Sequence, residues 1–407
     1  MKCRHCQNEI TYNFLDLGFA PHSNAYINKN DQTRPEKYYP LRLKVCEKCW
    51  LVQTEDFSSA SDLFTADYAY FSSTSSSWLN HAKDYAEKVI EEYSLSNESL
   101  VIEVASNDGY LLKNFIKNDI PVLGIEPTDS TADVAESINV PTLRSFFGEL
   151  LAEDLANKGK LADLIVGNNV YAHVPDINDF TKGLKKILKT EGVITIEFPH
   201  LMKLLNLNQF DTVYHEHYSY LSLYTVQKIF KSSGLRIFKV EEIQTHGGSL
   251  RVYGCHDNSL KLEDYSVERI LADEIRSGMR DVDIYLKFQT RANQIKNDFL
   301  KFLIEQNQLG KLVLGYGAAA KGNTLLNYAG IKPDLIASIC DLANSKQGKL
   351  MPGSRIPITT PEEVFKYKPD YIFIFPWNIK EEVMNSYNFI SDWGGKFVVA
   401  IPELTVL

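Results

Sequence analysis

Residues 100–109 read Leu-Val-Ile-Glu-Val-Ala-Ser-Asn-Asp-Gly, a short apolar run with an acid inside it, followed by a turn of small and polar residues. Such a run predicts the first strand of a doubly wound sheet. The turn after it lies at the carboxyl edge, where backbone amides can approach a ligand. Downstream, strand signals at Pro121–Ile125, Pro141–Leu143, Asp163–Val166 and Gly192–Ile196 alternate with helix signals near Leu111–Ile116, Ala132, Leu150 and Leu184. Buried apolar strands separated by helices of this length predict a parallel sheet covered on both faces. Ile237–Ile243 and Ser249–Gly254, joined through Thr245-His246-Gly247-Gly248, predict an antiparallel hairpin at the sheet edge.

Upstream, Trp78, Ala82, Tyr85, Val89 and Tyr93 recur at helical spacing. Before them, Asp67 to Ser77 is rich in hydroxyls and opens with three aromatics, so it reads as a linker or a ligand-facing loop. Farther downstream, Tyr265 to about Gln306 carries an apolar stripe that predicts two helices broken near Gly278. Lys311–Gly315, Leu335–Asp341 and Tyr371–Phe375 then predict a second Rossmann-like sheet.

The chain has 407 residues, 44% of them hydrophobic, enough for two to three domains with real cores. Lys plus Arg number 43 against 52 Asp plus Glu, a formal charge of -9, which argues against a broad nucleic-acid footprint and against anionic membranes. Met1 to Cys6 lacks the apolar core of a signal peptide, and no apolar run reaches the length of a membrane span. A cytoplasmic monomer is expected. Two CxxC pairs, Cys3/Cys6 and Cys46/Cys49, can present four thiolates to one tetrahedral ion. They predict a closed, structural zinc site acting as a folding staple or substrate lid.

At the first sheet, Glu126 closes the second strand 23 residues after Glu103, where a carboxylate can accept from both ribose hydroxyls. The turn lacks GxGxxG. An acid ending each of the first two strands suits S-adenosylmethionine better than NAD. Gly167 to Asp176, the end of the fourth strand, forms a polar mouth on the same edge. The expected donor contacts are Glu103, Ala105, Ser106, Asn107, Gly109, Glu126, Asn168 and Asn169, with Tyr68 and Tyr70 closing over donor or sugar.

Tyr214-His215-Glu216-His217-Tyr218 concentrates two imidazoles, a carboxylate and two phenols, and marks a proton-transfer centre. Its histidines are two apart, not four, so it is no zinc-protease motif. An extended segment would place His215 and His217 on one face. Later, Gly315-Tyr316-Gly317-Ala318-Ala319-Ala320-Lys321-Gly322 is a small-residue turn entering a helix, suited to a diphosphate. Gly322 after Lys321 rules out a Walker motif.

With EVASNDG (Glu103–Gly109), NVYAHVPD (Asn169–Asp176), YHEHY (Tyr214–Tyr218), HGGSLR (His246–Arg251) and GYGAAAKGNTLLNY (Gly315–Tyr328), together with the four cysteines, the chain resembles nucleotide-sugar C-methyltransferases of deoxysugar pathways over nearly its whole length. Ala105 departs from the glycine common among methyltransferases. The resemblance implies three α/β-based units: a zinc-binding domain over 1–66, a class I (Rossmann-like) methyltransferase domain over 67–257, and a C-terminal Rossmann-like domain over 258–407 that binds the sugar nucleotide. It implies a 4-keto deoxysugar nucleotide methylated on carbon through an enolate. The expected roles are His217 as base, Glu216 orienting an imidazole, Tyr214 donating to the sugar or its carbonyl, and His173 stabilising the enolate oxygen. Tyr316, Ala319, Lys321, Gly322, Asn323, Arg251 and Lys346 are expected against the sugar nucleotide. The competing reading is an NAD-dependent sugar-nucleotide oxidoreductase using the second glycine turn, with Asp341 holding the ribose.

Overall fold

A computed structural model describes residues 1–57, 71–74 and 76–407. Tyr68 and Tyr70 lie outside the described residues. The central seven-stranded sheet runs in the order Leu235–Ile243, Ser249–His256, Leu188–Pro199, Ala162–Asn168, Val101–Val104, Val122–Ile125, Thr142–Leu143. Its five strands from Leu188–Pro199 to Thr142–Leu143 are parallel, because helices such as Asp129–Ser137, Glu149–Asn157 and Ile177–Ile187 return the chain across the faces. The predicted hairpin forms at one end, with Ser249–His256 inserted antiparallel between Leu235–Ile243 and Leu188–Pro199. Val101 and Ile102 are fully buried, as a strand covered on both faces requires.

The second sheet has six strands in the order Ile358–Thr359, Ile339–Cys340, Val313–Tyr316, Tyr371–Ile374, Lys396–Val399, Thr405–Val406; the last is antiparallel to its neighbour and the others are parallel. Three helices precede it instead of two: Tyr265–Arg276, Val282–Leu286 and Phe288–Gln308. The first break falls at Gly278, whose φ of +75° is a left-handed turn that glycine adopts without strain. A second falls at Lys287, so the apolar stripe is carried on bent segments.

The N-terminal strands Tyr12–Ala20, Tyr39–Val45 and Val52–Thr54 make an antiparallel sheet completed by Ser219–Tyr220, the strand that leaves the YHEHY segment. Ile27–Asn28 pairs with Lys349–Leu350 of the C-terminal part. Core residues follow the same weaving. Phe14 and Leu43 share one apolar cluster with Phe299 and Phe373, while Cys3, Cys46 and Leu51 pack into the core under the seven-stranded sheet. The N-terminal segment therefore wedges against both α/β units. No helix among the described residues is long and apolar enough to cross a membrane.

Candidate active site

The turn after Val101–Val104 is built from backbone that few residues adopt. Ala105 and Asn107 sit at φ of +58° and +50°, and Gly109 at +75°, where an added Cβ would meet Val140 at 2.9 Å. Left-handed φ is costly for alanine, which explains why glycine is the easier choice at that place. Ser72 and Ser73 donate their backbone N–H groups to Asn107 Oδ1 and Asp108 Oδ2, both at 2.9 Å, so the end of the serine-rich segment lies against this turn. Glu103 is 1% exposed, and neither of its oxygens has a hydrogen-bond partner; Ser106 Oγ, Asp108 Oδ1 and both amide atoms of Asn168 are likewise buried and unpartnered among the described residues. Burial first, then the charges of Asp108, Glu126 and Glu197, push the Glu103 carboxyl well above its ordinary range. Unsatisfied buried acceptors such as those of Glu103 and Asp108 fit the ammonium of a methyl donor, and the Asn168 amide and Ser106 hydroxyl can donate to its carboxylate. Glu126 accepts from Asn107 N at 3.0 Å and Thr128 N at 2.9 Å, tying the second strand end to the turn.

The YHEHY segment is not extended. His217 N donates to Tyr214 O at 3.0 Å, closing a turn that sends the two imidazoles apart. His215 goes to the N-terminal sheet: its Nε2 meets Tyr39 O at 3.3 Å, and its ring lies 5.4 Å from His22. His217 goes to the mouth of the fourth strand, 4.7 Å from the ring of His173 and 4.0 Å from Tyr214. Its Nδ1 lies 3.1 Å from the backbone oxygen of Thr212. A carbonyl only accepts, so Nδ1 carries the proton and Nε2 keeps its lone pair. Burial first, then neighbouring His173, hold this imidazole well below its ordinary range, so it is neutral at pH 7.

Two expected roles change here. The carboxylate of Glu216 is gripped by Asn24 Nδ2 at 2.8 and 3.0 Å, so its side chain is committed to the N-terminal segment. It is the Glu216 backbone that meets an imidazole, the one of His173, which burial pushes down to about 4. A neutral imidazole has a single N–H. With that proton committed to a carbonyl, His173 has none left for an enolate oxygen.

From the C-terminal unit, the helix Ala320–Ala329 begins against the turn: Thr324 Oγ1 donates to Val213 O at 2.7 Å. Half-buried Lys321 donates to Asn378 Oδ1 at 2.7 Å and lies 4.4 Å over the Trp377 ring. Gly322 packs on Phe375, where a Cβ would meet the ring at 2.8 Å, and Asn323 is 1% exposed with its Nδ2 unpartnered among the described residues. Tyr316, 7% exposed, ends its strand with its ring 5.4 Å from Tyr387, and Ala319 caps the helix. Lys346 reaches Ala318 O at 3.0 Å and Asp341 Oδ2 at 3.3 Å, while Asp341 also accepts from Ala318 N and Ala343 N at 2.8 Å. The acid that a dinucleotide ribose would need is thus filled by its own loop, which weighs against the NAD reading.

Arg251 is placed in the first sheet, away from that turn. Its guanidinium pairs with Glu197, reaches Glu241 at 3.4 Å and stacks 4.4 Å over Tyr85; His81 Nε2 completes the group 3.1 Å from Glu197. The sequence reading also missed His246 and Asp211. His246 stands at φ +54° in the hairpin connection, accepting from Asn169 Nδ2 at 3.1 Å, with Trp78 5.3 Å away. Asp211, 1% exposed, accepts from the Trp377 indole at 2.7 Å. The HGG run was a usable signal for His246. Nothing local marks Asp211.

The four cysteine sulfurs lie within 4.8 Å of one another, Cys3 to Cys49 at 3.5 Å and Cys6 to Cys46 at 3.6 Å. A tetrahedral ion with sulfur arms of about 2.3 Å needs edges of about 3.8 Å, so the cage fits zinc. Both knuckles end alike, with Gln7 and Trp50 at φ +59° and +62°. Within the first knuckle, Arg4 donates to Pro175 O at 2.7 Å and His5 meets Asn178 Oδ1 at 2.8 Å, which fastens the zinc loop beside His173. All four protein ligands are sulfur, so the site is structural.

Comparison with known proteins identifies what the chain is similar to. Family models match three stretches: a zinc binding domain over residues 3–64, a methyltransferase domain over 78–240 and a C-methyltransferase C-terminal domain over 244–402. The C-methyltransferase NovU of Streptomyces niveus is 32% identical over 406 residues, 100% of this chain and 96% of that protein. A ubiquinone biosynthesis O-methyltransferase of Bartonella tribocorum is 26% identical over 118 residues, 27% of this chain and 48% of that protein. Among solved structures, magnesium protoporphyrin IX methyltransferase of Synechocystis PCC 6803 with bound SAM aligns at 13% identity over 44% of this chain and 79% of that one, with a TM-score of 0.34.

Proposed function

Since this chain belongs to the C-methyltransferase family, an enzyme with S-adenosylmethionine as donor and a zinc-binding domain, we propose that it methylates the carbon alpha to the ketone of a 4-keto deoxysugar nucleotide. The observation that carries this reading is the tautomer of His217, whose Nδ1–H is spent on Thr212 and whose Nε2 is left as a base. Carbon is a poor nucleophile until a neighbouring carbonyl acidifies its proton. A neutral, buried imidazole at the junction of two α/β units is suited to remove that proton.

S-adenosylmethionine, when bound, supplies an electrophilic methyl group. On the protein side, Glu103, Ser106, Asp108 and Asn168 offer open polar atoms for its charged end, and Glu126 with the turn Ala105 to Gly109 frames the place for its ribose. Asn169 braces His246 beside that edge. His217 Nε2 takes the alpha proton. Tyr214 is assigned the contact with the sugar, a reading supported by its packing on His217. The nucleotide half of the substrate is assigned to the C-terminal unit, a reading supported by the contact of helix Ala320–Ala329 with the turn that carries the base.

The test is a panel of 4-keto sugar nucleotides incubated with purified protein and methyl-labelled donor, read by mass and by carbon spectra of the product. Label retained on a ring carbon next to the ketone is the expected result. Label on oxygen, or turnover of nicotinamide with no label incorporated, would defeat the reading.

A further inference from the structure

The reaction proposed above converts His217 to an imidazolium and the ketone oxygen to an enolate, and because the new imidazolium N–H faces the carbon it has deprotonated, the charge on oxygen needs a donor of its own. When Nε2 of His217 takes the alpha proton, the C–H electron pair becomes a carbon–carbon π bond and the carbonyl pair moves onto oxygen. The oxygen keeps that charge until the carbon is methylated and the carbonyl re-forms. His217 and His173 have both committed their single N–H to backbone carbonyls, those of Thr212 and Glu216. His246 accepts at Nε2 from Asn169, which leaves its Nδ1–H as a donor, but a neutral one. A charged donor strengthens such a bond roughly twofold over a neutral one.

Resting on that reading, we propose that Lys321, at the start of helix Ala320–Ala329, is the cation that meets the enolate oxygen, so the C-terminal unit contributes a catalytic residue and not only a nucleotide shelf. Three observations support the assignment. Trp377, the ring beneath the Lys321 ammonium, packs against Gly247 next to His246 and bonds to Asp211 next to the Thr212 carbonyl that holds His217, so the ammonium shares a platform with the segments that carry both imidazoles. Its side chain is held in place by the Trp377 ring beneath it and by Asn378, while Trp377 is itself fixed by its bond to Asp211. Finally, the buried carboxylate of Asp211, bonded to the same Trp377 that lies under Lys321, offsets part of the ammonium's charge. A lysine balanced by a carboxylate is a poor anchor for a dianionic diphosphate, whose charge the carboxylate would repel. It suits a neutral ketone that acquires one charge in passing. Burial brings the Lys321 ammonium down to about 8, against the pull of Asp211, so at pH 7 it remains mostly protonated.

The experiment compares Lys321→Met and Lys321→Arg with the unaltered enzyme, zinc content and unfolding curves confirming that each is folded. Three quantities are read: methylation of a keto sugar nucleotide accepted in the panel, exchange of its alpha proton in heavy water, and affinity for thymidine and uridine diphosphates, which carry the diphosphate without a ketone. Lys321→Met is expected to lose about 100- to 1,000-fold in turnover and in exchange, the range for one lost oxyanion donor. Diphosphate affinity should change by less than about threefold, and Lys321→Arg, which keeps the charge, should recover part of both rates. A tenfold or greater loss of diphosphate affinity with exchange intact would make Lys321 a phosphate anchor and overturn the proposal. Unchanged rates in Lys321→Met would overturn it as well. If the unaltered enzyme methylates and exchanges none of the panel, the functional reading itself has failed.

Discussion

Thr324 of the C-terminal unit donates its hydroxyl to the backbone carbonyl of Val213 at 2.7 Å, one residue before the turn that carries His217. Both residues are buried, at 2% and 0% exposure. The proposed base is therefore held partly by a bond from helix Ala320–Ala329 of the other α/β unit. Thr324→Val keeps the shape but leaves that carbonyl unpaired, at a cost of about 1 to 3 kcal/mol. Urea unfolding should show this loss, and methylation should fall while donor affinity holds. Unchanged stability would mean that the carbonyl finds another partner.

His217→Asn removes the basic nitrogen and keeps much of the volume. Turnover and alpha-proton exchange should fall together by roughly 100- to 10,000-fold. Because burial, then His173, depress this imidazole, its neutral form persists as pH falls through 6.5. The acid limb of kcat/KM should accordingly lie well below 6.5, where the depressed group finally protonates. An acid limb at 6.5 or above that vanishes in the variant would contradict the geometry of this site.

Glu103 gives a prediction of the opposite sign. Its folded carboxyl is raised by burial, then by Asp108, Glu126 and Glu197, so between the unfolded and folded values the native state holds the extra proton. Stability on this account falls as pH rises through that window. A cationic donor favours the ionised form, so binding should release a proton and tighten with rising pH up to the raised value. Calorimetry in buffers of different ionisation enthalpy measures the release directly, and Glu103→Gln should abolish it. Equal heats in all buffers for the unaltered enzyme would remove Glu103 from the donor site.

For the metal, about one zinc per chain is expected in protein purified without chelators. Cys46→Ser should lower the unfolding temperature and loosen the Arg4 and His5 contacts at the fourth-strand mouth. Protein lacking zinc yet equally stable would show the cage to be a set of ordinary buried thiols.

The alternating strands around Glu103 and the two CxxC knuckles were legible because each depends on neighbours in sequence: periodicity in one case, a tight turn in the other. The YHEHY segment was recognisable by composition but not by shape. Nothing in its alternation announces the bond from His217 N to Tyr214 O that sends His215 toward Tyr39 and His217 toward His173. Glu216 was expected to orient an imidazole with its carboxylate; Asn24, 192 positions away, claims that carboxylate. The grouping of Asp211, Lys321 and Trp377 depends on three segments converging in space, and no local pattern encodes that.

Ser219–Tyr220 supplies the last strand of the zinc-bearing sheet, pairing with Gln53 and Val52 directly after the turn that carries His217. The head and the turn are thus two halves of one object separated by some 160 residues of chain. Such a head cannot be exchanged between enzymes as a cassette, because a transplanted one would arrive without its fourth strand and without Glu216 for Asn24 to hold. Recombination that reshapes specificity in this architecture must carry both segments together, or leave both in place and vary the C-terminal unit.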